Sequence, residues 1–228
     1  MKRAATILVG LIALVAVVGT ASAALRSPQV AVFGGCLQGE LNGQGESINV
    51  LTDQNAVQRW ASTVSNNSTF TIQVELSANA AANTYGIYNA SLAAPPLYAV
   101  FPGAATAGWF ATASFRTGPT RVVVNLFDNN AAFVSTVTYL GADRNDFGFY
   151  LSGPGGLFYT QDARNPGGNP QALTYAGTGL NSGSWWLAWE DTPFAANSDF
   201  CDALLFLESV NPTPVSKTTW GSLKARFH

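Results

Sequence analysis

The chain has 228 residues, with 11 Lys and Arg against 13 Asp and Glu, and a single His. Charged residues make up 11% of the chain, about half of their usual share in soluble proteins. The slight excess of acid argues against nucleic acid and anionic membrane surfaces as partners. The single His, at position 228, argues against His-ligated zinc and His-based catalytic triads.

The first 23 residues predict a cleavable secretory signal peptide. Lys2 and Arg3 come first, an uninterrupted apolar stretch covers 7–18, and Ala21 and Ala23 form a small-x-small cleavage site. The apolar stretch is shorter than the roughly 20 residues of a bilayer span, although an uncleaved anchor is the alternative. We therefore expect an exported protein, secreted or at the cell surface, with no membrane span in its mature chain.

The mature chain predicts one all-β domain over 24–211, a β-sandwich for which a jelly-roll arrangement is the first choice. A short helix is expected at 54–60, and the strict alternation of 69–76 predicts that Phe70, Ile72, Val74 and Leu76 share a buried face. The other strands are short and separated by turns rich in Gly, Pro and Asn. They are expected at 30–33, 47–51, 85–88, 97–101, 108–115, 121–127, 132–140, 147–151, 157–160, 171–175, 185–190 and 203–208.

Residues 212–228 predict a proline-containing linker followed by a short tail. Trp220, Leu223 and Phe227 would lie on one side of a short amphipathic turn. Since an isolated ten-residue helix is marginal in water, this segment either docks on the domain or binds a partner.

An acidic loop is the main candidate for a functional site. Four of the 13 acidic residues lie within 190–202, namely Glu190, Asp191, Asp199 and Asp202. If the strands 185–190 and 203–208 form a hairpin, the loop between them brings these carboxylates together, where they repel unless something neutralises them. Ca²⁺, which prefers oxygen ligands, is the expected ligand; a solvated loop without metal is the alternative.

The two cysteines, Cys36 and Cys201, predict a disulfide, because an even pair in an exported chain is usually oxidised. Two buried free thiols are the alternative.

Three tryptophans, Trp60, Trp109 and Trp186, are candidates for exposed faces that stack on a sugar ring. The chain has no nucleophile elbow, P-loop or dinucleotide fingerprint, and nothing fixes two acids across a cleft. We therefore expect a protein that is not an enzyme.

The C-terminal third resembles a bacterial exported family named domain of unknown function 4114. The resemblance rests on Trp186 to Asp191 followed by Ser198 to Phe206, with weaker similarity upstream, and covers roughly 69–209. It implies a surface or matrix-associated protein from a family with no established enzymatic activity. One position departs from the family: Cys201 stands where the family has Asn, which removes one possible oxygen ligand and fits the disulfide with Cys36.

The leading hypothesis is therefore a secreted or cell-surface structural or binding domain stabilised by Ca²⁺. A carbohydrate-binding module that recognises polysaccharide is one alternative. The other is a self-assembling surface-layer or filament subunit, joined through an exposed edge strand or the tail around Trp220.

Overall fold

The computed structural model describes residues 23–213 and confirms an all-β sandwich. Its one α-helix is α1 (Cys36–Gly43), and short 3₁₀ turns occur at Ala80–Ala82, Asp162–Arg164, Pro166–Gly168 and Gly179–Asn181. The strands are β1 (Trp60–Ser62), β2 (Asn67–Glu75), β3 (Thr84–Asn89), β4 (Leu97–Phe101), β5 (Phe110–Arg116), β6 (Arg121–Phe127), β7 (Phe133–Leu140), β8 (Phe147–Gly153), β9 (Gly156–Tyr159), β10 (Ala172–Ala176), β11 (Trp185–Trp189), β12 (Ala203–Glu208) and β13 (Val210–Pro212).

Two antiparallel sheets pack face to face. The seven-stranded sheet has the order β10-β11-β12-β2-β5-β6-β7, and the six-stranded sheet has the order β13-β1-β8-β3-β4, with β9 paired to β8. Sequential neighbours such as β5, β6 and β7 are joined by short turns, because antiparallel strands need only a tight connection. The main core lies between the sheets, where Phe70, Phe149 and Trp189 are fully buried.

A second, smaller core covers the outer face of the seven-stranded sheet at β10, β11 and β12. Leu37 and Leu41 of α1 pack there with Trp186 and Phe200. Both faces of β11 are therefore buried, which explains why all five of its residues are apolar rather than alternating.

The N-terminal predictions were wrong in detail. Residues 54–60 do not form a helix, and 30–33 and 47–51 are not strands. The helix instead begins at Cys36, directly after the Gly34-Gly35 turn. Tertiary packing decides this region, since Leu37 and Leu41 bury their side chains against the sheet while residues 54–56 pair with residues 24–26.

The expected alternation of β2 holds only as far as Ile72. The register with β12 shifts between Leu204 and Leu205, so that Leu204 pairs with Val74 and Leu205 pairs with Ile72. Gln73 is thus an extra residue in β2, and such a bulge turns the following side chains to the opposite face. Val74 belongs to the outer core and Leu76 is exposed, which corrects the prediction that both face the same core as Ile72.

Among residues 23–213, no helix has the length and hydropathy of a membrane span.

Candidate functional site

The acidic residues predicted from the sequence lie around one hairpin loop. β11 and β12 pair antiparallel from Trp185 with Leu207 to Trp189 with Ala203, so the loop 190–202 joins their ends as expected. Its four carboxylates separate into two pairs with different surroundings.

Glu190 and Asp199 hold the loop in shape. Glu190 Oε2 accepts hydrogen bonds from the backbone N–H groups of Asp199 (3.1 Å) and Phe200 (3.4 Å), and Glu190 Oε1 accepts one from Thr192 Oγ1 (2.7 Å). Asp199 Oδ1 accepts from the backbone N–H of Cys201 at 3.0 Å. These bonds replace the water that the loop's backbone would otherwise need.

Asp191 reaches across the end of the sandwich to the segment between β2 and β3. Its Oδ2 accepts hydrogen bonds from Ser77 Oγ, from Asn79 Nδ2 at 3.2 Å and from Asn83 Nδ2 at 2.8 Å. Asp191 and Asn83 are both buried. The Asp191 carboxylate therefore holds the β11–β12 loop against the β2–β3 segment at the same end of the molecule.

Asp202 and Glu75 complete a carboxylate cluster with Asp191. Asp202 Oδ2 accepts from the backbone N–H of Asp191 at 2.8 Å, and Glu75 Oε1 accepts from the hydroxyl of Tyr85 at 3.0 Å. The second oxygen, Glu75 Oε2, is buried and receives no hydrogen bond from any residue in 23–213. We call Glu75, Asp191 and Asp202 the carboxylate trio.

The trio has unusual electrostatics. Burial, helped by the charges of Asp191 and Asp202, raises the pKa of Glu75 to about 7. Burial also raises the pKa of Asp202 to about 7, with further contributions from the charges of Asp191 and Glu190. The two ion pairs found between residues 23 and 213 involve other acids, Asp162 and Asp146, so no Lys or Arg neutralises the trio within that range.

Glu75 cannot be recognised as a site residue from the sequence, for a structural reason. In a strictly alternating strand Glu75 would face solvent, opposite Ile72, and only the extra residue Gln73 turns it toward Tyr85. Nothing in the local sequence marks that bulge.

The donor set of the trio has the chemistry that Ca²⁺ prefers, because it consists of carboxylate oxygens with amide oxygens nearby. Within residues 23–213, however, no three His, Cys, Asp or Glu side chains are arranged to hold a metal ion. Glu190 and Asp199 are directed to backbone N–H groups instead, so the structure does not bring the four predicted residues together as one ligand set.

The predicted disulfide is confirmed. Cys36 is bonded to Cys201, with 6.0 Å between their Cα atoms and a sequence separation of 165. The bond connects the first residue of α1 to the end of the acidic loop, two residues before β12 begins.

The predicted sugar-stacking surface is not formed. Trp60 and Trp186 are buried, which corrects the expectation that they are exposed, and Trp109 is half-buried against the main core. Trp186 is held in place by Glu46, whose Oε1 accepts from the indole N–H at 2.7 Å. The outer core around α1, which the sequence does not reveal, explains why Trp186 is buried.

Glu46 is a second buried carboxylate that the sequence analysis missed. It also accepts from the backbone N–H of Thr178 (2.6 Å), from Thr178 Oγ1 (2.5 Å) and from Asn181 Nδ2 (2.6 Å). Burial raises its pKa, but these hydrogen bonds outweigh that effect and leave the pKa below its ordinary value. Glu46 therefore needs no cation.

The tail residues Trp220, Leu223 and Phe227 and the signal-peptide residues 1–22 lie outside the described residues. Comparison of the chain with protein-family models found no matching family, and comparison with curated proteins found no match.

Proposed function

We propose that this protein is an exported, non-catalytic structural or binding domain in which Ca²⁺ stabilises the end of the sandwich that carries the carboxylate trio. The observation that carries the proposal is the carboxylate trio, which gathers Glu75, Asp191 and Asp202 with no positive side chain from residues 23–213 beside it. Such a group is stabilised either by protons or by a cation.

Calcium is the cation that this group favours. The ligands are oxygen only, and the flexible coordination of Ca²⁺ suits side chains that come from two separate segments, the end of β2 and the β11–β12 loop. Because the three carboxylates repel one another without an ion, we expect them to draw closer when Ca²⁺ binds. Asp191 would then exchange part of its bonding to Ser77 and Asn79 for the metal.

The predicted export fits the same proposal. The disulfide between Cys36 and Cys201 suits an oxidising compartment, and Ca²⁺ is abundant outside the cell. The role of the loop carboxylates as fasteners of backbone and side chains favours a structural function over catalysis.

The test is thermal unfolding of the oxidised mature protein at pH 7.5, in millimolar CaCl₂ and in EDTA. We expect CaCl₂ to raise Tm by several degrees, because a ligand that binds only the folded state stabilises it. The Asp202→Asn variant should lose most of this rise, while Asp128→Asn, which changes an acid in the distant β6–β7 turn, should keep it. Equal Tm values of the unmodified protein in CaCl₂ and EDTA would remove calcium from the proposal.

A further inference from the structure

Among residues 23–213, every strand edge but one is protected. At β10, Asn55 forms a backbone bridge to Thr174, and at β9 the side-chain amide of Asn165 bonds both the N–H (2.7 Å) and the C=O (2.9 Å) of Tyr159. β13 has three residues and ends in Pro212, and β4 lies between Pro96 and Pro102. Short strands, prolines and covering segments are the usual ways to prevent edge pairing.

The exception is β7, the other edge of the seven-stranded sheet. It has eight residues, and its outer edge pairs with no strand of residues 23–213. From Asn129 to Ala142 the sequence contains neither a charged residue nor a proline. Apolar side chains are exposed along it, with Phe133 at 62%, Val137 at 42% and Leu140 at 67%.

The open face next to this edge is apolar at one end. Phe133 pairs with Phe127 of β6, which in turn pairs with Phe110 of β5. The ring of Phe127 contacts the rings of both neighbours, with centroids 5.9 Å from Phe133 and 4.8 Å from Phe110. An edge with unpaired backbone groups and exposed apolar side chains beside it is a template for pairing with a further β-strand.

The charges around β7 favour a second copy as the source of that strand. At the Leu140 end, Arg121 is the paired residue and Arg116 lies one strand further in, with Asp143 following in the chain. At the Phe133 end, Asp128 lies in the turn, where its Oδ1 accepts from the backbone N–H groups of Asn130 and Ala132. Antiparallel pairing of two copies brings the arginine end of one beside the Asp128 end of the other.

We propose that β7 pairs antiparallel with β7 of a second copy of this chain and joins the two seven-stranded sheets into one. The pairing is two-fold symmetric, so the same strand serves on both sides. β7 is the only long unprotected edge within residues 23–213. Once the two copies pair, no such edge is left for a third copy, so the assembly closes as a dimer and does not grow into a filament. The inference is independent of the calcium proposal.

The first test measures the association of the full exported chain by sedimentation equilibrium over a range of concentrations. We expect a monomer–dimer equilibrium. The Thr138→Lys variant should raise the dimer Kd at least about tenfold, because pairing brings a new positive charge from each copy to the same short interface. Thr69→Lys, which adds the same charge three strands away on the same sheet, should leave the Kd unchanged.

A second variant tests the same pairing in case Thr138→Lys does not fold. Val137→Cys should give a disulfide-linked dimer under mild oxidation, since residue 137 lies near the centre of the paired strands and both native cysteines are already bonded. Val64→Cys, at a fully exposed turn residue, should not link. A monomer at all concentrations, a dimer insensitive to Thr138→Lys, or species that keep growing beyond two copies would overturn the proposal.

Discussion

At the residue scale, the trio depends on where Glu75 points. The extra residue Gln73 turns Glu75 toward Tyr85, and the carboxylate then shares the end of the sandwich with Asp191 and Asp202. Its pKa of about 7 means that the folded protein holds a proton there over a pH range in which the unfolded chain has already lost it.

This difference predicts the pH dependence of stability in the absence of calcium. Glu75 and Asp202 have ordinary pKa values near 4 to 4.5 when unfolded and about 7 when folded. Between those values the folded state binds more protons, so the free energy of unfolding should fall as the pH rises from about 4.5 to about 7.5. Urea denaturation in EDTA at pH 5 and pH 8 measures the difference.

The Glu75→Gln variant should reduce this dependence by the contribution of Glu75, since the amide keeps an acceptor for Tyr85 and carries no charge, while Asp202 keeps its own contribution. Glu208→Gln, at an exposed position of β12, is the matched control. Its stability should depend on pH in the same way as that of the unmodified protein. A protein that is equally stable at pH 5 and pH 8 would contradict the raised pKa values.

At the scale of elements, α1 is held mainly by its connections to the sheet. It has eight residues and no side-chain cap, and a helix of that length is marginal by itself. Leu37 and Leu41 anchor it to the outer core, and Cys36 anchors it to the acidic loop. The helix, the loop and β12 therefore form one connected unit.

The disulfide that joins the helix to the loop should contribute strongly to the stability of the protein. A bond that closes a loop of 165 residues restricts the unfolded chain, and its removal is expected to lower the free energy of unfolding by about 2–5 kcal/mol. The Cys36→Ser/Cys201→Ser variant, compared with the unmodified protein by chemical denaturation, tests this. Dithiothreitol should destabilise only the unmodified protein, and an equal response of both proteins would contradict the prediction.

At the scale of the whole molecule, the two halves of the seven-stranded sheet have different outer faces. At β10 to β12 the outer face is covered by α1 and its neighbours, whereas at β5 to β7 it is open and ends in the unprotected edge. The carboxylate trio and the β7 edge use different parts of the fold, which allows calcium binding and dimerisation to be tested separately.

Export is a prediction that concerns the whole chain. At the predicted cleavage point, the carbonyl of Ala24 accepts from the backbone N–H of Ala56 at 2.9 Å, and the N–H of Arg26 bonds the carbonyl of Gln54 at 2.7 Å. Expression with its own leader in a bacterial host should give an exported protein whose N-terminal sequence begins at Ala24. Retention inside the cell with Met1 intact would contradict the signal-peptide prediction.

The sequence by itself was sufficient for the class of fold, the β11–β12 hairpin with its acidic loop, and the disulfide. These follow from local signals: turn residues between short apolar strands, acids at two strand ends, and a single cysteine pair.

Only the tertiary structure decided which carboxylates meet and which tryptophans are buried. Glu75 joins Asp191 because of a bulge, and Trp186 is buried because a helix far away in sequence covers the outer face of its strand. Both depend on contacts between distant segments, where a shift of one residue reverses the direction of a side chain, and such shifts leave no mark in the local pattern.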